Sequence, residues 1–93
     1  MAVYVDNQRA QYRGMMMCHM LADSTEELLA MADRIGVERK HLQDAGTYRE
    51  HFDICLTKRA AALEAGATEA SMSDLGRIIR LRRDAAHHER NIR

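Results

Sequence analysis

The chain is poor in cysteine, carries no net charge and has no long apolar run. Its two cysteines, Cys18 and Cys55, form no C-x-x-C pair, which excludes zinc-ribbon and thioredoxin-like proteins, and we expect free buried thiols. Fourteen basic residues balance fourteen acidic ones. This balance argues against an acidic DNA mimic and against a basic nucleic-acid coat.

Membrane segments are also missing from the sequence. No apolar stretch approaches the ~20 residues that a bilayer-spanning helix needs. The N-terminus has no basic segment followed by an apolar one, so no signal peptide is evident. We therefore expect a cytoplasmic protein without membrane contact, in which reduced thiols are the normal state.

The 93 residues contain 46% apolar side chains, enough for one modest core. We predict a single domain over residues 1–93, with a frayed end at 87–93. A core of this size leaves little surplus over conformational entropy, so a homodimer is one way to stabilise it. The sequence shows no internal repeat, low-complexity tract or linker.

Apolar patterning predicts short strands alternating with helices. β-branched, aromatic or alternating residues indicate strands at 2–6, 15–21, 37–43, 48–56 and 67–72, the third and the last on weaker patterns. A polar connection joins the first strand to the second, and 44–46 is a turn. In the fourth strand, His51, Asp53 and Cys55 share one face.

Three helices complete the predicted order. Ser24 and Glu27 form a capping box, apolar residues follow at helical spacing, and Gly36 supplies the stop. Thr57 is the predicted N-cap of a second helix through Ala65, and Ser73 that of the last. This alternation predicts an α/β domain with a mainly parallel sheet of four to five short strands and about three helices.

Polar residues stand where these strands end. In open α/β sheets, ligands bind beyond the carboxyl ends of the strands. If the strands are parallel and adjacent, a cluster converges there, whereas antiparallel pairing of the first two strands scatters it. The members of this cluster are Asp6, His19, Asp23, His51 and Asp53.

The cluster suggests metal-assisted chemistry. Carboxylates within reach of one another hold Mg²⁺ or Mn²⁺, and the predicted metal ligands are Asp6, Asp23 and Asp53. Histidines beside carboxylates act as general bases or as ligands for Zn²⁺ or Mn²⁺. The predicted catalytic residues are His51, Asp53 and His19.

An anion site is predicted next to this cluster. Lys58 and Arg59 open the second helix, where backbone amides and the helix dipole favour a negative group. Phosphate is the substrate class that the metal ligands and these two cations share. Together they suggest phosphoryl chemistry or phosphate binding.

Each member of the cluster also has a structural explanation. Asp6 can satisfy backbone amides at a strand end, and Asp23 can support a turn or a cap beside Ser24. His19 in an apolar strand is compatible with a hydrogen-bonded core histidine. The pair His51 and Asp53 is the harder one to explain structurally, because two polar side chains on one strand face need water, partners or a ligand.

Several ordered motifs resemble a known family. They are V-Y-V-D (3–6), C-H-M-L-A-D (18–23), E-E-L-L-A-M-A-D-R-I-G (26–36), H-F-D-I-C-L-T-K-R-A (51–60) and A-G-A (65–67). In this set and order they resemble a small bacterial and phage family named domain of unknown function number 4031. Where that family typically has aromatic residues around 41–42 and a tyrosine at 52, this chain has His41, Leu42 and Phe52.

The resemblance implies a bacterial or phage intracellular setting and no established activity. It also implies that the motif positions are Asp6, His19, Asp23, His51, Asp53 and Arg59. Two functions stay open from the sequence. One is a phosphate- or nucleic-acid-directed domain, as in a divalent-metal-dependent nuclease or phosphatase. The other is a non-enzymatic phage accessory protein that binds and inhibits a host defence or replication protein.

Overall fold

The computed structural model describes the backbone of residues 2–92 and the side chains of residues 2–11 and 13–85. In chain order the elements are β1 (Val3–Val5), β2 (Ala10–Tyr12), β3 (Met15–Ala22), α1 (Thr25–Ile35), a 3-10 turn (Arg39–His41), β4 (Phe52–Cys55), α2 (Leu56–Glu64), β5 (Thr68–Glu69) and α3 (Met72–Ile92). The predicted α/β class with three helices is confirmed. The frayed end at 87–93 stays a prediction.

The sheet is mixed, and the prediction of a mainly parallel sheet is wrong. The long strand β3 is its centre and pairs antiparallel with β1, β2 and β4. Met17 pairs with both Ala10 and Cys55, so β2 and β4 lie on opposite edges of β3. The one parallel pair within the described part of the chain joins β1 to β5.

The short connection between β1 and β3 explains this topology. Parallel neighbours need a crossover of a dozen or more residues, whereas only residues 6–14 separate these strands. That segment contains β2, which turns directly into β3 through Arg13 (φ 49°) and Gly14 (φ 78°). Two consecutive positive φ angles are typical of the tight turn that joins antiparallel strands.

Three local predictions are also corrected. The strand expected at 37–43 is a 3-10 turn followed by a single bridge between Gln43 and His51. The second helix starts two residues earlier than expected, so Thr57 lies inside it and Cys55 takes the N-cap position. The last helix is capped by Ser71 instead of Ser73: Ser71 Oγ accepts from the amide of Asp74 at 3.0 Å.

The first helix matches its sequence signals closely. Ser24 Oγ accepts from the amide of Glu27 at 3.2 Å, which satisfies one of the free donors at the start of α1. Gly36 ends the helix with φ 80°. The Gly36 amide donates to carbonyls of the last helical turn. This left-handed backbone conformation favours glycine.

The two faces of the sheet have different neighbours. Buried residues of β1, β3 and β4 pack against α1 and α2 and form the core, with Met20, Phe52 and Ile54 almost fully buried. The opposite face carries Met15, Met17, His19 and Asp53, and we call it the site face. At one end of the site face, Leu21 shares a depression with Leu75 and Ile79 of α3. His19 and Asp53 lie near its centre, and Met15 and Met17 lie toward the other end.

Candidate metal centre

Two histidines and one aspartate meet on the site face. His19 lies in β3 and Asp53 stands directly opposite it in β4. His51 comes two residues before Asp53, so strand alternation places both on the same side. One ligand atom from each of the three residues lies within 4.8 Å of the others.

The hydrogen bonds of the two imidazoles decide which nitrogen faces the aspartate. His19 Nδ1 lies 2.7 Å from Asp6 Oδ2, and His51 Nδ1 lies 2.6 Å from the carbonyl oxygen of Arg49. Both partners accept, so each neutral ring donates from Nδ1 and leaves a lone pair on Nε2. These two Nε2 atoms lie 3.7 and 3.6 Å from Asp53 Oδ1.

Three electron-rich atoms therefore face one another without a hydrogen bond between them, since 3.6 Å exceeds hydrogen-bond range. Such an arrangement is stabilised by a cation at its centre. Ligand atoms at about 2.1 Å from a tetrahedral ion are ~3.4 Å apart, close to the separations of 3.7 and 3.6 Å between the imidazoles and Asp53. These two separations therefore fit a group of three side chains that could hold a metal ion.

Asp6 holds His19 in place from the opposite side of the ring. Its side chain is 1% exposed, and Oδ1 accepts from the amides of His19 at 2.8 Å and Gln8 at 3.3 Å. The Asp6 carbonyl accepts from Arg59 Nε at 2.8 Å. A buried carboxylate that receives the second N–H of a ligating histidine is the usual support of such a ligand.

Asp53 has a comparable support. Gln43 Nε2 donates to Asp53 Oδ2 at 2.5 Å, which leaves Oδ1 directed at the two histidines. The bridge between Gln43 and His51 holds this glutamine beside β4. All three candidate ligands are thus oriented by a neighbour before any ion binds.

Cys18, the residue before His19, does not join this site. Burial, and after it the charge of Asp6, raises the pKa of the Cys18 thiol to about 11. The thiol therefore stays protonated at neutral pH. It faces the core and behaves as a small apolar side chain.

The structure separates the other predicted site residues from this centre. Asp23 lies beyond the end of β3 and accepts from the amide of Ala2 at 2.7 Å and from Tyr4 Oη at 3.0 Å. It also raises the pKa of Tyr4 through that hydrogen bond. The antiparallel pairing of β1 with β3 thus puts Asp6 and Asp23 at opposite ends of β1, and the three aspartates do not share one site.

The two predicted phosphate-binding cations both hold the backbone. Lys58 Nζ donates to the carbonyl of Ile35 at 2.8 Å, at the end of α1. Arg59 donates to the Asp6 carbonyl, and its Nη2 atom also lies 3.1 Å from Glu69 Oε1. This second contact is an ion pair without hydrogen-bond geometry. Only 12% of the Arg59 side chain is exposed.

Sequence reasoning missed Gln43 and Arg49. Gln43 ends the strand predicted at 37–43 but was not included in the cluster, and Arg49 lies near the start of the next predicted strand. Their roles depend on the pairing of Gln43 with His51, which brings this segment beside β4. A signal did exist, because Gln43 and His51 flank the predicted turn at 44–46 and a hairpin brings such residues together. The carbonyl of Arg49 carries no side-chain signal at all.

Two depressions flank the centre. A cleft of about 720 Å³ runs along the site face past His19 and Asp53, with Gln8, Met15, Met17 and Gln43 among its lining residues. A smaller one of about 350 Å³ is lined by His19, His51, Arg49 and the start of α3. A small molecule can therefore approach His19 from either depression.

Comparisons with known proteins give one result. The family model described as Protein of unknown function (DUF4031) matches residues 3–82, which include every residue of the site. Neither the curated proteins nor the solved structures contain a match. Among the described residues, no helix has the length and apolar character needed to cross a bilayer.

Proposed function

We propose that this chain, which belongs to the DUF4031 family, is a metal-dependent hydrolase of phosphate esters with His19, His51 and Asp53 as its ligands. The observation that carries the proposal is the convergence of His19 Nε2, His51 Nε2 and Asp53 Oδ1, with neither imidazole hydrogen-bonded to the aspartate. Each of the three is held in that orientation by a further residue.

The donor set favours a transition metal. Two imidazoles and one carboxylate suit Zn²⁺, Mn²⁺ or Fe²⁺, whereas Mg²⁺ prefers oxygen ligands alone. Three protein ligands leave at least one coordination position for water or substrate, as in catalytic zinc sites. The side chains of His19 and Asp53 are 32% and 38% exposed, so solvent and substrate reach the centre.

The charge of the site suits an anionic substrate. Two neutral histidines and the Asp53 carboxylate would leave a divalent ion and its three ligands with one net positive charge. An ion held by these residues would polarise a bound phosphoryl oxygen and would lower the pKa of a bound water toward neutrality. Arg49, which lines the smaller depression with His19 and His51, adds a second positive group on that side.

The roles of the chain's own residues follow from the contacts. Asp6 keeps the proton of His19 on Nδ1, and the Arg49 carbonyl does the same for His51. Gln43 fixes the Asp53 carboxylate so that one oxygen ligates. None of these three has to move when an ion binds, which reduces the cost of ordering the site.

Metal titration tests the proposal directly. Isothermal titration calorimetry of the metal-free protein with Zn²⁺ and Mn²⁺ should give one saturable site. His51→Gln and Asp53→Asn should each abolish it. His41→Gln removes a histidine that lines the larger cleft outside the ligand set, so this matched control should bind as the wild type does.

Hydrolysis is measured on the loaded protein with bis(p-nitrophenyl) phosphate. Activity that depends on metal and is lost in Asp53→Asn supports the proposal. Absence of saturable metal binding at micromolar protein refutes the metal centre. Metal binding without hydrolysis of any phosphate ester refutes the activity and leaves the centre standing.

The alternative function, inhibition of a host protein, stays a prediction. It expects a stable complex that survives mutation of His51 and Asp53. The orienting contacts around these two residues are not needed for such a role. The metal-dependent proposal is therefore favoured by the structure of the site.

A further inference from the structure

We infer that the larger cleft beside the metal centre binds a nucleobase, so that the substrate is a nucleotide whose phosphate lies at the metal. This inference rests on the proposed function, because the metal centre supplies the phosphate end of the site. The cleft would select the organic group of the substrate, whereas the metal ligands bear only on its phosphate.

The floor of the cleft contains apolar side chains from two neighbouring strands. Alternation along β3 puts Met15 and Met17 on the same face as His19, and Ala10 of β2 stands beside Met17 in the sheet. Met15 is 49% exposed and has no part in the core. A sheet surface with two thioethers suits a planar ring, because methionine sulfur makes favourable contacts with aromatic systems.

Amide groups edge this apolar floor. The side-chain amide of Gln8 has no hydrogen-bond partner among the described residues, and the same holds for Gln43 Oε1, whose neighbouring Nε2 is used by Asp53. Glutamine amides donate and accept at once, so they match the donor and acceptor edge of a base, adenine in particular. Within the part of the chain whose side chains are described, no lysine or arginine lines the cleft, which favours a neutral group there.

The distance along β3 from Met17 to His19 matches the distance from the base to the phosphate of a nucleotide. Met17 and His19 are two residues apart on one strand, or roughly 7 Å along it. A base on Met17 therefore reaches the metal centre with its own phosphate, across one sugar. The volume of about 720 Å³ lies within the range of small-molecule sites and leaves room for a neighbouring nucleotide.

Binding assays on the zinc-loaded protein test this inference. We expect adenosine 5′-monophosphate to bind at least roughly tenfold more tightly than ribose 5-phosphate, the same phosphate without a base. Gln8→Leu should remove most of that difference and leave the affinity for ribose 5-phosphate unchanged. Equal affinities for the two probes in the wild type overturn the inference.

A pair of adjacent methionines provides the matched control. Met15→Ala should weaken binding of adenosine 5′-monophosphate, whereas Met16→Ala should not, because Met16 is exposed on the opposite side of β3. Equal losses in both variants contradict the proposed floor. Unchanged binding in both contradicts it as well.

Two further binding experiments distinguish failure of the base-binding cleft from failure of the metal centre, and free nucleotides from nucleic acid. Adenosine, which has no phosphate, is titrated into the metal-free protein, and its binding reports on the cleft without the metal. Binding there supports the inference even if zinc titration disproves the metal centre, and its absence counts against the cleft alone. A short oligoadenylate binding more tightly than the mononucleotide assigns the site to nucleic acid, and equal binding assigns it to free nucleotides.

Discussion

The buried carboxylate behind His19 gives the most direct test of how this site works. Asp6→Asn keeps the size of the side chain and keeps Oδ1, which accepts from the amides of His19 and Gln8. It replaces Oδ2, the acceptor that lies 2.7 Å from His19 Nδ1, with an NH₂ group. Two donors then face each other, and the imidazole relieves this by moving its proton to Nε2.

A proton on Nε2 removes the lone pair that a metal needs. Loss of such a supporting contact typically lowers metal affinity about 10- to 100-fold. This corresponds to about 1.4–2.8 kcal/mol of binding free energy. Because Asp6 is 1% exposed, water does not replace the lost acceptor, and we expect the upper part of that range.

Calorimetric titration with Zn²⁺ measures the affinity, and ¹⁵N chemical shifts of the imidazole report the tautomer of His19. Thermal unfolding of the metal-free variant separates lost affinity from lost folding. Asp23→Asn is the matched control, since it changes an aspartate at the far end of β1 and should leave zinc binding unchanged. Wild-type affinity in Asp6→Asn, with the His19 proton still on Nδ1, refutes the reasoning.

Two predictions concern folding. Gly36→Ala should destabilise the protein by ~1 kcal/mol in urea unfolding, because φ is +80° and the new Cβ would lie 3.1 Å from Lys58 Nζ. Gly76→Ala, in open space within α3, should instead stabilise it, and destabilisation there contradicts the argument. The hydrogen bond from the Ser71 amide lowers the pKa of Asp74 in the folded protein. The ionised carboxylate therefore stabilises the fold at pH values above its pKa in the unfolded chain. This stabilisation is lost as the pH falls through the pKa of Asp74 in the folded protein. Asp74→Asn should therefore lower the unfolding midpoint more at pH 7 than at pH 3, and an equal loss at both pH values overturns this.

Part of the candidate site was predictable from local sequence. Strand alternation places His51 and Asp53 on one face, and the structure shows them 3.6 Å apart through Nε2 and Oδ1. The same argument does not include His19, because its meeting with Asp53 depends on the register between β3 and β4. Register is set by packing and turn geometry along both strands, which no local pattern displays.

Strand direction was the harder problem. Alternating strands and helices favour parallel sheets in general, yet here the segment 6–14 is too short for a crossover and forms β2 instead. The length of that segment is a stronger signal of strand direction than the alternation, because a parallel neighbour needs a crossover of a dozen or more residues. The error carried over to Asp23, which a parallel sheet would have brought to the site and the antiparallel one moved away.

The sequence by itself determined the α/β class, the first helix with its cap and stop, and the shared face of His51 and Asp53. These features depend on contacts between residues close in the chain, where hydrogen bonds and side-chain periodicity act locally. Only the tertiary structure decided the mixed sheet, the pairing of His19 with Asp53, and the place of Asp6 behind His19. Those depend on which strands pair and in which register, a choice made by burial of the whole core and not by any single segment.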